Sequence, residues 1–459
     1  MYLYLVFLFA FLIRLIGLNQ SLWLDEAIVA KVVRTVPFHL IPFQFSPSDF
    51  HPPLYYLFIS VWSKLLGTSE IALRFPSVIA SLLTGWVVYK IGLLLGDRKK
   101  ALWSTLFFLF NPLIVYYSQE ARMYMMATLF TTTAFYFFLR LIKEKKQSAT
   151  DIVFFNVFCA LSIFTFYGTL FFIAGIIITY VISTKRSAWR DLSALLEMTP
   201  LLCIGVVLSL ILLSPLLLSQ LHTARVGLVD VKNWSMVLGK AEIKNVAMIF
   251  LKFVIGRLSW LPKWNYYVVA GVATVITWTG ITLGARKNKI LIPLFFIPLV
   301  LAFVVSFWAP MVQYFRFLYL IPIMSIALGM TVEIKKRNTL TIFVAFLFCI
   351  FSLTYLLLPQ FHREDWKSLA KQLNPKEPVF MILPSGDPVT YYNPTVSLFE
   401  LRKLGVTNVP EIIQVIPYVE EIYGINHTET LSKMGCLKIE STTFRGPLLL
   451  EKWRCLKNS

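Results

Sequence analysis

The chain has 459 residues, 57% of them hydrophobic, with a mean hydropathy of +0.70 and a formal net charge of +19. Apolar runs of about 20 residues recur along it, each able to span roughly 30 Å of hydrocarbon, which excludes a soluble globular protein. The positive charge does not signal nucleic acid, because the tail from residue 362 carries 12 Lys/Arg against 11 Asp/Glu and the excess belongs to the apolar part.

The first run, residues 2–18, has no basic leader and no small-residue cleavage site, so it reads as a retained span. Next comes SLWLDEAIVAKVVR, residues 21–34, in which Asp25 and Glu26 stand side by side. Residues 27–36 place Ile28, Val29, Val32 and Val33 on one helical face, with Lys31 and Arg34 on the other. Residues 53–66 and 246–262 are apolar but carry cations: Lys64 in the first, Lys252 and Arg257 in the second. All three stretches read as amphipathic helices lying on the membrane surface.

Basic residues gather in tight clusters between the apolar runs: Arg98-Lys99-Lys100, Lys143/Lys145/Lys146, Lys185-Arg186 with Arg190, Arg286-Lys287 with Lys289, and Lys335-Lys336-Arg337. Such clusters mark cytoplasmic loops. Placing all of them inside predicts about eleven spans, near 2–18, 71–95, 101–117, 122–142, 152–166, 168–183, 195–218, 264–284, 290–308, 316–332 and 339–358. Residues 19–70 and the tail then lie outside. The expected division is a polytopic α-helical membrane domain, 1–361, followed by a small extracytoplasmic α/β domain, 362–459. In that tail DWKSLAKQL, YVEEIYG and TETLSKMG read as helices, and PVFMILP and GPLLLEKW as strands. Cys159, Cys203 and Cys349 lie in apolar runs and suit packing. Cys436 and Cys455 are able to form one disulfide if the tail is extracytoplasmic.

The outer face of the membrane part holds seven carboxylates: Asp25, Glu26, Asp49, Glu70, Glu120, Asp230 and Glu242. Asp25 and Glu26 open a surface helix, and Glu120 in YYSQEARMYMM sits at a span end beside Arg122 and Tyr124. Ionisable groups at the membrane boundary are costly without a role or a partner. A structural reading also exists, since an Asp before an apolar-periodic helix suits an N-cap and a Glu in the first turn suits the helix dipole. Adjacent helical residues point about 100° apart, so the two cannot address one substrate atom; one is chemical and the other supporting. Lys64, Arg74, Arg122, Lys252, Arg257 and Arg316 lie near the outer interface, where snorkelling or a lipid-phosphate pocket each explains a cation. His51, before Pro52-Pro53, reads as a hydrogen-bonder or a catalyst. The tail, 362–459, shows no Cys/His metal spacing and no dinucleotide loop.

LWLDEA, HPPLYYLFISVW, GTSEIALRFPSVIASLLTGWVVYKIG, NPLIVYYSQEARMY and RFLYLIP, in that order, resemble the GT-C membrane glycosyltransferases. The branch is the bacterial one related to protein O-mannosyltransferases and the lipid A aminoarabinose transferase (glycosyltransferase family 39-like). The resemblance is strong over about residues 1–140. It implies an inverting transfer of a sugar from a polyprenyl-phosphate carrier to an acceptor hydroxyl on a lipid, protein or glycan, at the outer face of the plasma membrane. It implies three catalytic carboxylates: Asp25 as general base, Glu26 orienting it or the acceptor, and Glu120 as the second acidic position. Arg74 falls on a position important for activity and, with His51, Lys64, Arg122, Tyr124, Arg257 and Arg316, would bind substrate. No cofactor is required by this reading. A divalent cation shared by Asp25 and Glu120 stays open, as it occurs among the oligosaccharyltransferase cousins. Relatives carry a His-Tyr pair where this chain has Phe166-Tyr167, which puts acceptor choice in question. The rival class is a transporter or flippase of lipid-linked sugars.

Overall fold

The computed structural model describes residues 1–143, 148–184, 192–333, 338–404 and 409–455. The apolar part is helical: α1 (Tyr2–Leu15), α2 (Leu24–Thr35), α3 (Leu54–Leu66), α4 (Glu70–Leu95), α5 (Arg98–Leu109), α6 (Pro112–Tyr117), α7 (Tyr124–Lys143), α8 (Ala149–Thr165) and α9 (Thr169–Thr184). It continues through α10 (Leu192–Asp230), α11 (Trp234–Leu238), α12 (Ile243–Ile255), α13 (Lys263–Lys287) and α14 (Leu291–Val305). A 3-10 turn, Tyr314–Leu320, then leads into α15 (Ile321–Met330), and α16 (Thr339–Leu357) closes this part. By length and composition, five helices among the described residues can cross a membrane: Glu70–Leu95, Tyr124–Lys143, Thr199–Gly227, Lys263–Lys287 and Thr339–Leu357. The three stretches expected on the membrane surface are helices α2, α3 and α12.

Three devices hold the ends of the helices that carry the site. Arg14 of α1 is fully buried and donates to Ser81 Oγ at 2.8 Å, Ala10 O at 2.7 Å and Leu109 O at 2.8 Å, joining α1, α4 and the last turn of α5. A buried guanidinium is tolerable here because three acceptors replace its water. Asn111 then breaks the α5–α6 path. Its side chain accepts from Leu113 N and Ile114 N and donates to Phe253 O at 2.7 Å, while Pro112 starts α6. An Asn cap followed by Pro at the first helical position is a strong helix start. The turn after α6 is fixed to α1 by Gln119, which donates to Arg14 O and Ile16 O.

Described residues of the basic clusters meet at the opposite end of the bundle. Lys99 donates to Glu333 O, Lys287 pairs with Glu333 at 3.0 Å, and Lys143 donates to Leu94 O. Lys145, Lys146, Lys185, Arg186, Arg190 and Lys335-Lys336-Arg337 lie outside the described residues.

The tail comprises α17 (Trp366–Gln372), β1 (Val379–Met381), α18 (Asp387–Tyr392), β2 (Leu398–Glu400), β3 (Ile412–Val415), α19 (Glu420–Tyr423), α20 (His427–Lys433), β4 (Cys436–Phe444) and β5 (Leu448–Cys455). The sheet order is β2-β1-β3-β5-β4, with β1 parallel to β2 and β3, and β5 antiparallel to β3 and β4. One face packs Trp366, Leu369, Val379, Met381 and Val389; the other packs Phe380, Ile413, Val415, Leu431 and Trp453. The expected segments are present, and β2, β3, β4 and α18 add to them. β2 is only three residues and β4 is largely exposed, so neither has the apolar run by which buried strands are read.

Cys436 and Cys455 are bonded, at facing positions of β4 and β5. Their sequence separation of 19 closes a loop whose cross-link stabilises a fold by about 3 kcal/mol in the chain-entropy account. Cys436→Ser with Cys455→Ser is therefore expected to raise the urea sensitivity of the tail by roughly that amount. Tail tryptophan fluorescence reports it, and an unchanged midpoint would show that the bond adds nothing.

The tail is not a loose appendage. Leu24, the first residue of α2, packs into its core, and Lys31 of α2 pairs with Asp387 at 2.9 Å. Glu70, at the start of α4, receives Lys367 at 3.0 Å and Tyr392 Oη at 3.1 Å.

Candidate active site

Asp25 and Glu26 are adjacent in the first turn of α2, and their surroundings are opposite. Glu26 is fully buried. Its Oε1 accepts from Arg74 Nε at 2.8 Å and from Ala121 N at 2.8 Å; its Oε2 accepts from Arg74 Nη2 at 2.5 Å and faces Arg363 Nε at 3.6 Å. Glu26 Oε2 also accepts from Trp23 N, so the expected capping role falls to Glu26 and not to Asp25. Burial opposes ionisation of Glu26, but Arg74 and Arg363 overcome it and hold the carboxyl below its usual range.

Arg74 spends every donor on this lock. Besides Glu26 it serves Leu18 O, Gln20 O and Ser21 O, which matches the five N–H groups of a guanidinium. This corrects two expectations. Arg74 is fully buried without a free N–H and cannot contact substrate, and Glu26 positions the start of α2 instead of meeting reactants.

Asp25 turns the other way. Its side chain is 31% exposed, and Arg122 Nη2 stands 3.6 Å from Oδ2. Arg122 also donates to Tyr56 Oη at 3.2 Å. Tyr56 in turn bonds Asp49, whose carboxylate lies 3.3 Å from His51 Nδ1. Burial disfavours the Asp49 anion, and the adjacent His51 more than compensates, keeping it below the usual carboxylate range. His51 stacks at 6.3 Å on Phe166, the residue that departs from the expected His-Tyr pair. Tyr124 contacts the rings of Tyr117, Phe166 and Phe315.

Two further cations lie in this region, Arg316 near Asp25 and Arg257 near Glu120. Arg316, half-buried, feels Asp25, Tyr124 and Arg122 electrostatically and donates to Pro310 O. Arg257 is exposed, has Tyr116, Tyr117, Tyr314 and Glu120 as its electrostatic neighbours, and donates to Tyr116 Oη at 3.0 Å. Lys64 does not join them. It sits in the last turn of α3, exposed over the Phe38 ring at 5.9 Å, eight residues and about 12 Å along the helix from Tyr56.

Glu120 lies beneath the site in the turn between α6 and α7, almost wholly buried. Its Oε2 faces Arg363 Nη2 at 3.3 Å, and its Oε1 has no hydrogen-bond partner. Burial pushes its carboxyl up to about 7; Arg363 pulls against this, and Glu26 adds to it. The ordinary value is 4.5, so between that pH and about 7 the folded protein holds a proton that the unfolded chain has lost. Stability therefore falls as pH rises through that window. Glu120→Gln is expected to flatten the fall between pH 5 and 7, measured by thermal unfolding of the purified protein. Parallel curves for both proteins would assign the dependence elsewhere.

Sequence reasoning missed Arg363. It lies between Glu26 and Glu120, donates to Tyr355 Oη and stacks its guanidinium 4.4 Å over Tyr116. The signal was the charged run HRED directly after the last apolar segment, at the depth where charges are costly. Asp49 was counted among the outer carboxylates without being singled out.

The donors do not fit a shared divalent ion. Among the described residues no three His, Cys, Asp or Glu side chains gather in a ligand set. The carboxylates that would hold such an ion face guanidinium groups instead: Arg122 at Asp25, Arg363 at Glu120.

Residues 50–219 match the family described as dolichyl-phosphate-mannose-protein mannosyltransferase. No curated protein matches the whole-chain sequence. Among solved structures, apo ArnT from Cupriavidus metallidurans is similar with a TM-score of 0.55 at 12% identity, covering 97% of each chain. The Archaeoglobus fulgidus oligosaccharyltransferase AglB, solved with an inhibitory peptide and a dolichol-phosphate, gives 0.55 at 12% identity over 92% of this chain and 70% of that one. The A. fulgidus enzyme solved with Zn and sulfate gives 0.54 at 14% identity, over 90% and 68%. At such identities these structures speak for the fold, which is GT-C.

Proposed function

We propose that this chain, a membrane glycosyltransferase of GT-C fold related to the protein mannosyltransferases, moves a sugar from a polyprenyl-phosphate carrier to an acceptor hydroxyl. The observation that carries the reading is Asp25: a partly exposed carboxylate flanked by Arg122 and Arg316, with Arg257 beside the neighbouring Glu120, where three short amphipathic helices meet the bundle. A lipid-tethered phosphate needs a site at the membrane boundary with cations and one base. A nucleotide-sugar donor would call for a diphosphate loop, and the sequence contains none. AglB, which shares the fold, has been solved with a dolichol-phosphate.

In this mechanism Asp25 takes the proton of the acceptor hydroxyl as its oxygen attacks the anomeric carbon. The bond from that carbon to the phosphate oxygen breaks, and the polyprenyl phosphate leaves with the electron pair. Arg122, Arg257 and Arg316 stabilise the charge that grows on it. One displacement inverts the anomeric centre. A phosphate leaves readily, so no strong general acid is needed. Lys99, Lys143 and Lys287 of the basic clusters lie at the far end of the bundle, which supports a multi-pass plasma-membrane protein with its site and tail extracytoplasmic.

The test uses purified protein in lipid, a panel of radiolabelled polyprenyl-phosphate sugars and an envelope extract as acceptor source. The expected result is loss of label from the carrier and its appearance in a product of inverted configuration. Movement of intact labelled carrier across the bilayer, without transfer, would turn the reading to a flippase.

A further inference from the structure

Three groups of the tail bond the residues that lead into α2. Arg363 N donates to Gln20 Oε1 at 3.2 Å, Lys367 N donates to Ser21 Oγ at 3.1 Å, and Tyr392 Oη accepts from Leu22 N at 2.8 Å. Gln20, Ser21 and Leu22 are all buried, where water does not replace a lost partner. Leu24 and the Tyr392 ring both pack on the tail core.

Tyr392 does more than accept. Its hydroxyl donates to Glu70 Oε1 at 3.1 Å, and Lys367 Nζ holds that same oxygen at 3.0 Å. A hydroxyl is donor and acceptor at once, so it can stand between an N–H and a carboxylate. Glu70 lies one helical turn before Arg74 on α4, and Arg74 takes Leu18 O, Gln20 O and Ser21 O. Helix α4 therefore grips the carbonyls of this stretch directly, and the Leu22 N–H through the hydroxyl of the tail. Leu22 stands just before the cap residue Trp23, a position that helps to set the angle at which a chain enters its helix. Asp25 follows in the first turn. The rest of α18 holds α2 further along. Asp387 pairs with Lys31 at 2.9 Å, and the Arg34 guanidinium lies 4.2 Å over the Tyr391 ring, whose hydroxyl donates to Thr68 O at 2.8 Å.

We propose that Tyr392 is a positioning residue for the transfer: by bridging Leu22 N and Glu70 it fixes the entry of α2, and with it the direction of the Asp25 carboxylate. This rests on the transferase reading. Tyr392 acts through Asp25 and not by contact with substrate. The tail then governs the rate of transfer and not the capture of either substrate.

The experiment is a double-variant cycle of wild type, Tyr392→Phe, Asp25→Asn and the two changes together, purified in lipid. Single-turnover transfer is followed from a labelled polyprenyl-phosphate sugar to the envelope extract. Phe keeps the ring that packs on the tail core and removes only the hydroxyl. Tyr392→Phe is expected to lower the rate about tenfold, the scale for a buried N–H left without its acceptor. Binding of the lipid phosphate and the extract needed for half-maximal rate should not change. With Asp25→Asn already present, the same change should lower the residual rate by less than about twofold, because no base is left to misplace. A full rate in Tyr392→Phe, a loss of equal size in both backgrounds, or a loss confined to half-saturation would each overturn the proposal. Glu70→Gln leaves the hydroxyl but weakens its anchor, so a smaller loss with the same dependence on Asp25 is expected. That second cycle decides the matter should Tyr392→Phe fail to fold. Transfer by Asp25→Asn as fast as wild type would strike the transferase reading itself, and the proposal with it.

Discussion

Asp25→Asn is expected to lower sugar transfer by about a thousandfold, within the range for losing a positioned general base. Binding of the polyprenyl phosphate should survive, because Arg122, Arg257 and Arg316 remain. Asn keeps the size of the side chain and can still accept from Arg122, so little structural disturbance accompanies the change. The burial pattern explains why the loss should be so large. Glu26 is sealed by Arg74, and Glu120 lies beneath the site with Arg363 against it. Neither can move into the role without breaking its pair. Single-turnover transfer by wild type and variant, alongside equilibrium binding of the lipid phosphate, checks this. Equal rates would remove Asp25 from the mechanism.

Arg74→Met is expected to destabilise the protein by about 3–5 kcal/mol, the cost of leaving a buried charge without its partner. Glu26 keeps Ala121 N and the more distant Arg363, but Leu18, Gln20 and Ser21 lose their donor. These carbonyls form the link between α1 and α2. Removing their donor should free the start of α2 and take Asp25 out of register, so transfer falls together with stability. The paired variant Glu26→Gln/Arg74→Met removes the stranded charge and should recover part of the stability and little of the activity. Unfolding in mixed micelles measures the first, and the transfer assay the second. Full activity in the single variant would show that the lock does not position Asp25.

These two outcomes separate what adjacent residues do. The sequence places Asp25 and Glu26 at the start of a surface helix and requires their side chains to diverge by about 100°. Nothing in the local pattern says which one faces inward. The same holds for Arg74 and Arg257: both are cations near the same interface, yet one is buried with five acceptors and the other is exposed.

Hydrophobic runs, the clustered basic residues and the amphipathic stretches were legible because each is a property of a segment against its solvent. Lipid, water and interface select residues locally, so the bundle, the helices α2, α3 and α12, and the α/β character of the tail follow from the sequence alone. The two tail cysteines were legible as candidates, and the structure pairs them. Roles within the site were decided by the tertiary structure. Glu26 and Arg74 are 48 residues apart, and Arg363 and Glu120 are 243 apart. A buried charge is tolerated only where an opposite charge and enough hydrogen bonds reach it, and which groups reach it depends on how the chain closes on itself. Hydropathy can say that a carboxylate at the membrane boundary needs a reason; only the folded neighbours say whether that reason is a partner or a substrate.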